Sequence, residues 1–300
     1  MASSVQALVL SDTHNNSFPD PHTIPTVDVV LHCGDITMAG GLSNYRSAMA
    51  SLGEVNAELK LVIAGNHDLE LDRSWWLDNL DENDDPEESS KALEIMRSGQ
   101  DRNIHYLEEG VHRFTLQSGV TFSVYASAYT PEFNGYAFSY GRDEDRFTGH
   151  NTKHPIPSGV DIVMTHGPPT IPSSFRISGS TKYLLDTNTK QEHLGCPHLW
   201  QAVQRSKPLL HCFGHIHEGY GAQSLKWAGE GNSILSDAPY QSFPHYRCIE
   251  QRPQPGDQTL MVNAAIMNHD GNNNVPWIVE LDFDEQPVCN YALDAAISPS

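Results

Sequence analysis

The stretch Val5–Leu10 (VQALVL) is a short, mostly apolar run, and the polar residues 11–14 (SDTH) follow it directly. The pattern recurs at Val27–Cys33 and at Leu59–Ala64, each of which is followed by a glycine and a polar side chain. Short apolar runs with abrupt ends are typical of buried parallel strands. Between the second and third runs, apolar residues recur at spacings of three and four through Ser43–Leu59, which predicts a helix with Ser43 as its N-cap. A helix that crosses between neighbouring parallel strands indicates an α/β fold.

The composition excludes several classes of partner. The chain has 300 residues with 18 Lys and Arg against 38 Asp and Glu, so its formal net charge is −20. Long nucleic acids and anionic membranes are both bound through basic residues, so we expect neither as a partner. No apolar run approaches the roughly 18 residues that indicate a membrane-spanning helix, and the N-terminus lacks the basic region of a signal peptide.

Cysteine usage predicts the cellular compartment. The five cysteines contain no C-x-x-C pair and do not form a disulfide framework at this length. Free thiols are typical of a reducing compartment, so we expect the cytoplasm, with the nucleus as the alternative.

The rest of the chain contains further predicted elements without a repeat or a domain linker, so we expect a single domain over residues 1–300. The acidic segment Asp78–Glu88 is expected to be a solvated loop. The segment Tyr129–Ser158 is a long loop without clear periodicity, and such loops are often functional. Helices are predicted at Glu87–Ser98 and Cys196–Arg205, and a β-hairpin at His112–Leu116 and Thr121–Ala126. Further strands are predicted at Val160–Thr165, Leu209–Phe213, Ser224–Leu235, Thr259–Ala264 and Trp277–Phe283.

Clusters of Asp, His and Asn follow the predicted strands. In open α/β sheets, ligands bind at the carboxyl ends of the strands, so these side chains are expected to converge. Oxygen and nitrogen donors suit Zn, Mn or Fe, and a structural zinc site takes only four ligands, whereas two ions that share one carboxylate could use all of these groups. Two-metal sites are typical of phosphate-ester hydrolysis. The seven candidate ligands are Asp12, His14, Asp35, Asn66, His166, His215 and His217.

The order of the clusters resembles the calcineurin-like metallophosphoesterase superfamily, whose motifs are D-x-H, G-D, G-N-H-[DE], a single His and G-H-x-H. These motifs correspond here to residues 12–14, 34–35, 65–68, 166 and 214–217. A narrower resemblance, to the metallophosphoesterase-domain-containing proteins (class III-type phosphodiesterases), rests on segments such as 166–169 (HGPP) and 214–221 (GHIHEGYG). The implied fold is an α/β four-layer αββα sandwich of two mixed β-sheets flanked by helices.

The resemblance also implies roles for single residues. Asp12, His14 and His217 would bind one metal ion. Asn66, His166 and His215 would bind the second, and Asp35 would bridge the two ions. His67 would be catalytic rather than a ligand, because it would stabilise charge and protonate the leaving oxygen, while Asp68 would orient it. The implied reaction is in-line attack on phosphorus by a hydroxide that bridges the two metals, with Asn66 and His67 in contact with the substrate.

The aromatic part of the long loop suggests further substrate contacts. Phe138 could stack on a base or an aromatic leaving group, and Arg142 could contact a phosphate. The alternative is that the aromatic side chains simply pack the loop.

The resemblance implies hydrolysis of small phosphodiesters, with cyclic nucleotides among the candidate substrates. A broad phosphomonoesterase and a non-catalytic interaction scaffold remain alternatives, although all the candidate ligands are present. A protein Ser/Thr phosphatase is disfavoured, because residues 34–40 read GDITMAG and lack the phosphate-binding Arg of the motif G-D-x-V-D-R-G. The metal pair (Mn, Fe or Zn) and the oligomeric state stay open.

Overall fold

The computed structural model describes residues 3–15, 20–149, 152, 154–172, 176–178, 181–228, 232–268 and 273–283. The single domain predicted for residues 1–300 therefore includes segments outside the described residues, and it stays a prediction. The helices are α1 (Leu42–Glu54), α2 (Arg73–Asp78), α3 (Glu88–Arg97) and α4 (Pro197–Ser206). The strands are β1 (Ser3–Leu10), β2 (Val27–His32), β3 (Ala57–Val62), β4 (Ile104–Tyr106), β5 (Gly110–Thr115), β6 (Thr121–Ser127), β7 (Thr130–Pro131), β8 (Ser139–Tyr140), β9 (Ile162–Thr165), β10 (Arg176–Ser178), β11 (Leu210–Phe213), β12 (Gly221–Trp227), β13 (Asn232–Asp237), β14 (Tyr240–Ser242), β15 (Arg247–Ile249), β16 (Gln258–Asn263) and β17 (Trp277–Phe283).

Most of the strands form two large mixed sheets. The first sheet has the order β14-β15-β17-β1-β2-β3-β4, and the second has the order β10-β13-β12-β16-β11-β9-β6-β5. In the first sheet β1, β2, β3 and β4 are parallel, whereas β17 runs antiparallel to β1. In the second sheet β6, β9, β11 and β16 are parallel. The segments that follow β1, β2 and β3, and those that follow β9 and β11, therefore leave their sheets at carboxyl-terminal edges.

The two sheets pack face to face because apolar residues alternate along their strands. In β1, Val5, Ala7 and Val9 belong to a buried cluster that also contains Val124 of β6 and Val262 of β16. Since successive side chains of a strand point to opposite faces, the residues between them face away from the second sheet. This alternation gives each central strand one face for the other sheet and one face for a helix layer.

Helices cover both outer faces. Leu8 of β1 lies in a cluster with Met49 of α1 and Met96 of α3. On the second sheet, Val163 of β9 lies in a cluster with Val203 of α4. The order of layers is therefore helix, sheet, sheet, helix, which confirms the predicted four-layer αββα sandwich.

The first predicted helix has other boundaries in the structure, and one predicted strand is divided into two. The first helix begins at Leu42 with Gly41 at the N-cap, two residues before the predicted Ser43, and it ends at Glu54 because Val55 is already extended. The single strand predicted for Ser224–Leu235 is instead the antiparallel pair β12 and β13. The glycines of the segment AGEGN (228–232) were the signal for this interruption.

The described helices were also compared with the length of a membrane span. The longest, α1, has 13 residues, whereas a span needs about 20. Within the described residues no helix is both long enough and apolar enough to cross a membrane.

Removal of a buried side chain between the sheets should reduce stability. Leu61 of β3 is fully buried in the cluster between the sheets. We expect Leu61→Ala to lower the free energy of unfolding by about 2–5 kcal/mol, because it removes apolar contacts and leaves a cavity. The matched control is Leu77→Ala, since Leu77 is 42% exposed and should change stability by less than about 0.5 kcal/mol. Urea unfolding measures both, and equal effects would contradict this account of the core.

Candidate metal centre

Backbone hydrogen bonds join the ends of the central strands at one edge of the molecule. The N–H of Asp12 donates to the carbonyl oxygen of Gly34 at 2.9 Å, which links the ends of β1 and β2. The N–H of Ser11 donates to the carbonyl oxygen of Ala264 at 2.9 Å, which links β1 to the second sheet. The N–H of His215 donates to the carboxylate of Asp12 at 3.0–3.1 Å. The two sheets are therefore held together where the polar clusters begin.

Four of the candidate ligands have a left-handed backbone. Asp12, His14, Asp35 and His215 have φ values of 55°, 43°, 52° and 67°. A non-glycine residue in this region is uncommon, and such strained residues often cluster at functional sites. With these φ values the backbone leaves the extended strand conformation, and the four side chains lie close to one another.

Asp12, His14 and His217 form the first candidate metal-binding group. Their ligand atoms lie within 4.8 Å of one another. Nε2 of His14 lies 3.3 Å from Nε2 of His217, which in turn lies 3.4 Å from Oδ1 of Asp12. Nδ1 of His14 lies 3.1 Å from the carbonyl oxygen of Thr37 and donates to it. That contact leaves Nε2 as the nitrogen that could bind a cation.

Asp35, His166 and His215 form the second candidate group, again within 4.8 Å. Nδ1 of His166 donates to the carbonyl oxygen of Cys33 at 2.8 Å, so its Nε2 faces the group. Oδ1 of Asn66 lies 3.0 Å from that Nε2. The structure thus brings together all seven side chains predicted as ligands.

Asp35 lies between the two groups. Its Oδ2 is 3.6 Å from Nε2 of His14, and its Oδ1 is 3.3 Å from Nε2 of His166. Its Oδ1 also accepts the backbone N–H of His67 at 2.9 Å. Each carboxylate oxygen therefore faces a different group, which is the arrangement that a shared ligand requires.

Within the second group, the charges of His166 and Asp35 compensate one another. Burial opposes protonation of His166, but the neighbouring Asp35 carboxylate outweighs it and raises the pKa of His166 to about 9. Burial also opposes ionisation of Asp35, yet the charge and hydrogen bond of His166 lower its pKa to about 2. Burial lowers the pKa of His215 to about 4. Buried carboxylates need positive partners, and neutral imidazoles and carboxylates are the donors that divalent cations such as Zn, Mn and Fe accept. The donor set therefore fits divalent cations.

His67 and Asp68 have different surroundings. Nδ1 of His67 donates to the carbonyl oxygen of Met38 at 2.7 Å. The carboxylate of Asp68 accepts the backbone N–H of Gly65 at 2.9 Å and those of Ile36 and Thr37 at 3.2 and 2.9 Å. Asp68 was expected to orient the imidazole, but its oxygens instead hold the loop that carries Met38. The two residues are therefore linked only indirectly by these contacts, because Ile36 and Thr37 precede Met38 in that loop.

The side chain of Phe138 is buried, whereas stacking on a base would need an exposed ring face. Its side chain is 7% exposed and lies in the cluster under the helices of the first sheet. The ring packs edge-on against Tyr129 at 5.5 Å, and the backbone N–H donates to Asp72. Phe138 therefore lacks an open face, which favours the alternative that it packs the loop.

Two further residues belong to this loop region. Arg142 was predicted to contact a phosphate, and Tyr136 was not predicted as a site residue. Arg142 is exposed, and its predicted contact with a phosphate stays a prediction. Tyr136 lies against His67, with ring centroids 4.3 Å apart. The turn sequence Asn134-Gly135 was the available signal that the chain reverses there.

One protein family, described as calcineurin-like phosphoesterase, has a model that matches residues 6–219. The chain is 34% identical over 237 residues to metallophosphoesterase domain-containing protein 1 of human and of mouse. Those matches cover 77% of this chain and 66% of each relative, so the matched region spans just under two thirds of their length. The structure of the protein TT1561 of Thermus thermophilus has a TM-score of 0.44 and 11% identity, and it covers 78% of this chain and 88% of that chain. A likeness at this TM-score adds nothing to the assignment.

The family match covers more than half of the chain and includes every candidate ligand. This chain therefore belongs to the calcineurin-like phosphoesterase family, whose members typically depend on two metal ions. The assignment supports phosphoester hydrolysis.

Replacement of the shared carboxylate should reduce metal binding. We expect Asp35→Asn to bind fewer than two ions per chain, because the amide lacks the charge and one of the two oxygen donors. Metal content after equilibration with Mn²⁺ and gel filtration measures this. Glu218→Gln is the control, since Glu218 is exposed beside His217 and undergoes the same change of charge. Two ions retained with unchanged affinity in Asp35→Asn would contradict the shared role.

Metal binding should release protons. The pKa of His166 is raised to about 9 by Asp35, so at neutral pH its imidazole is protonated before a cation binds. A ligand nitrogen must be neutral, so affinity should rise with pH up to about 9. Calorimetric titration with Mn²⁺ at pH 7, in two buffers with different ionisation enthalpies, gives the number of protons released. An observed enthalpy that does not depend on the buffer would contradict this expectation.

Proposed function

We propose that this protein is a dinuclear metal-dependent phosphoesterase that hydrolyses small phosphodiesters, with cyclic nucleotides among the candidate substrates. The main supporting observation is the position of Asp35, whose two oxygens face two separate candidate metal-binding groups. His67 donates its backbone N–H to the same carboxylate, so its side chain begins at this centre.

The proposed ligands divide between the two groups. Asp12, His14 and His217 would hold one ion. Asn66, His166 and His215 would hold the other, and Asp35 would contact both. When bound, two divalent cations at such a site supply a Lewis acid for the phosphoryl oxygens and a water of lowered pKa as the nucleophile.

The side chain of His67 is suited to act on the leaving oxygen. Its Nδ1 is engaged by the carbonyl oxygen of Met38, so Nε2 is the ring atom that remains for the substrate. A histidine in this position can donate a proton to the departing alkoxide or a hydrogen bond to a phosphoryl oxygen. Asp68 holds the loop of Met38 through the backbone N–H groups of Ile36 and Thr37.

The surroundings of His67 support a diester rather than a dianionic monoester. Met38, which is 41% exposed, and Tyr136 both border His67, and neither supplies a cationic side chain. A phosphodiester carries one negative charge, whereas a monoester carries up to two and is favoured by an additional cationic side chain. The chain lacks the Arg of the G-D-x-V-D-R-G motif in this loop.

The charge of the whole chain supports a small substrate. The formal net charge of −20 repels long polyanions, while two divalent cations would reverse the local charge of the carboxylates Asp12 and Asp35. The proposed partner is therefore a small phosphate ester, and neither a long nucleic acid nor a membrane. The four described cysteines are free thiols, which supports the cytoplasm or nucleus as its compartment; Cys289 lies outside the described residues.

Substrate preference tests the proposal. The protein, loaded in turn with Mn²⁺, Zn²⁺ and Fe²⁺, is assayed with bis-p-nitrophenyl phosphate, p-nitrophenyl phosphate and the 2′,3′- and 3′,5′-cyclic nucleotides. We expect a higher kcat/KM for the diesters. A preference for the monoester would replace the proposal with a phosphomonoesterase, and no turnover by the metal-loaded protein would indicate an interaction scaffold.

Removal of His67 should separate catalysis from metal binding. We expect His67→Ala to lower kcat for a cyclic nucleotide, whose leaving alcohol needs a proton, by about 10²–10⁴-fold because a general acid is lost, while two ions remain bound. His245→Ala is the control, since His245 is exposed and outside the two groups. A kcat in His67→Ala equal to that of the wild type would contradict the assigned role.

A further inference from the structure

We infer that Tyr136 is a positioning residue for His67, whose imidazole it holds in the orientation that presents Nε2 to the leaving group. The inference rests on the proposed function. A histidine ring turns about χ2, a broad torsion with no strong intrinsic preference. Its direction must therefore come from the groups that contact the ring.

Contacts restrain the His67 ring on several sides. The ring of Tyr136 lies against it with centroids 4.3 Å apart and an interplanar angle of 34°. The ring of His14 meets it edge-on at 4.9 Å and 86°. The carbonyl oxygen of Met38 accepts a hydrogen bond from Nδ1 at 2.7 Å. A hydrogen bond to one nitrogen fixes the position of that atom, and an aromatic neighbour against the ring limits its rotation.

The backbone around Tyr136 is itself held in place. The N–H of Tyr136 donates to the carbonyl oxygen of Phe133 at 3.4 Å and closes a turn. The central residues of that turn, Asn134 and Gly135, have φ values of 54° and 71°, which asparagine and glycine adopt more readily than other residues. Nε1 of Trp75 in α2 donates to the carbonyl oxygen of Gly135 at 2.8 Å. The turn is therefore tethered to a helix, and Tyr136 has a defined position.

The base of the same loop gives it a second anchor. The strands β7 and β8 pair in parallel, with Thr130 opposite Ser139 and Pro131 opposite Tyr140. The backbone N–H of Phe138 donates to Oδ2 of Asp72 at 2.9 Å. The loop is thus anchored on both sides of Tyr136, and its contact with His67 belongs to the folded structure.

The leaving-group dependence of the reaction tests the inference. The substrates are aryl methyl phosphate diesters whose leaving phenols differ in acidity. We expect Tyr136→Ala to lower kcat about 10–100-fold for the least acidic phenol, with little effect for p-nitrophenol, which departs without protonation. KM and the content of two metal ions should stay unchanged. Tyr136→Phe retains the ring and should resemble the wild type.

Two controls separate positioning from general damage. Phe133→Ala removes a side chain that is 52% exposed in the same turn and should change nothing. In a His67→Ala background, Tyr136→Ala should have no further effect on kcat, because residues that act as a unit are not additive.

Several outcomes would overturn the inference. One is an equal loss of kcat for every leaving group, and another is additive losses of kcat in the double variant. A third is a rise in KM confined to aromatic esters, which would make Tyr136 a substrate contact. If the wild type hydrolyses diesters and Tyr136→Ala is unaffected, only this inference fails. If the metal-loaded wild type hydrolyses no ester, the proposed function itself fails.

Discussion

The structure of this centre depends on the burial of two carboxylates, Asp12 and Asp35, where two β-sheets meet. Asp12 is fully buried and Asp35 is 1% exposed. Buried charges of one sign are costly unless positive groups or hydrogen-bond donors compensate them. Here the positive charge comes from His166 beside Asp35 and from His217 beside Asp12. His14, which follows β1, and His166, which follows β9, face opposite oxygens of Asp35. A pair of divalent cations would provide the same compensation more strongly and would leave charge for a phosphate ester.

The packing of the two sheets holds these buried carboxylates in place. The apolar cluster between the sheets fixes the strand ends, so residues in the left-handed region can persist at the edge. At two positions of the motifs, glycine is required because a larger residue would collide with a neighbouring carboxylate. A Cβ atom at Gly65 would collide with the carboxylate of Asp35, and one at Gly214 would collide with that of Asp12. The carboxylates can therefore occupy the centre only because the facing backbone has no side chain.

The sequence predicted the parts of the structure that depend on local pattern. Apolar runs that end in polar residues, such as Val5–Leu10 before Asp12, report strand ends directly, and the rule for the carboxyl ends of parallel strands brings those ends together. The loop that carries Tyr136 and Phe138 could not be predicted in this way. Its path depends on distant partners, such as Trp75 for the carbonyl oxygen of Gly135. The same limit explains Asp68, because its partners Ile36 and Thr37 follow β2 whereas Asp68 follows β3.

The central claim is that Asp35 is shared by two metal ions, and electron paramagnetic resonance of the Mn²⁺-loaded protein tests it most directly. Two ions that share a carboxylate lie about 3.5–4 Å apart, so their spins are coupled. The account predicts two Mn²⁺ per chain and the spectrum of an exchange-coupled pair, which Asp35→Asn abolishes. A spectrum of isolated Mn²⁺ in the wild type at full loading, or a stoichiometry of one ion per chain, would contradict it.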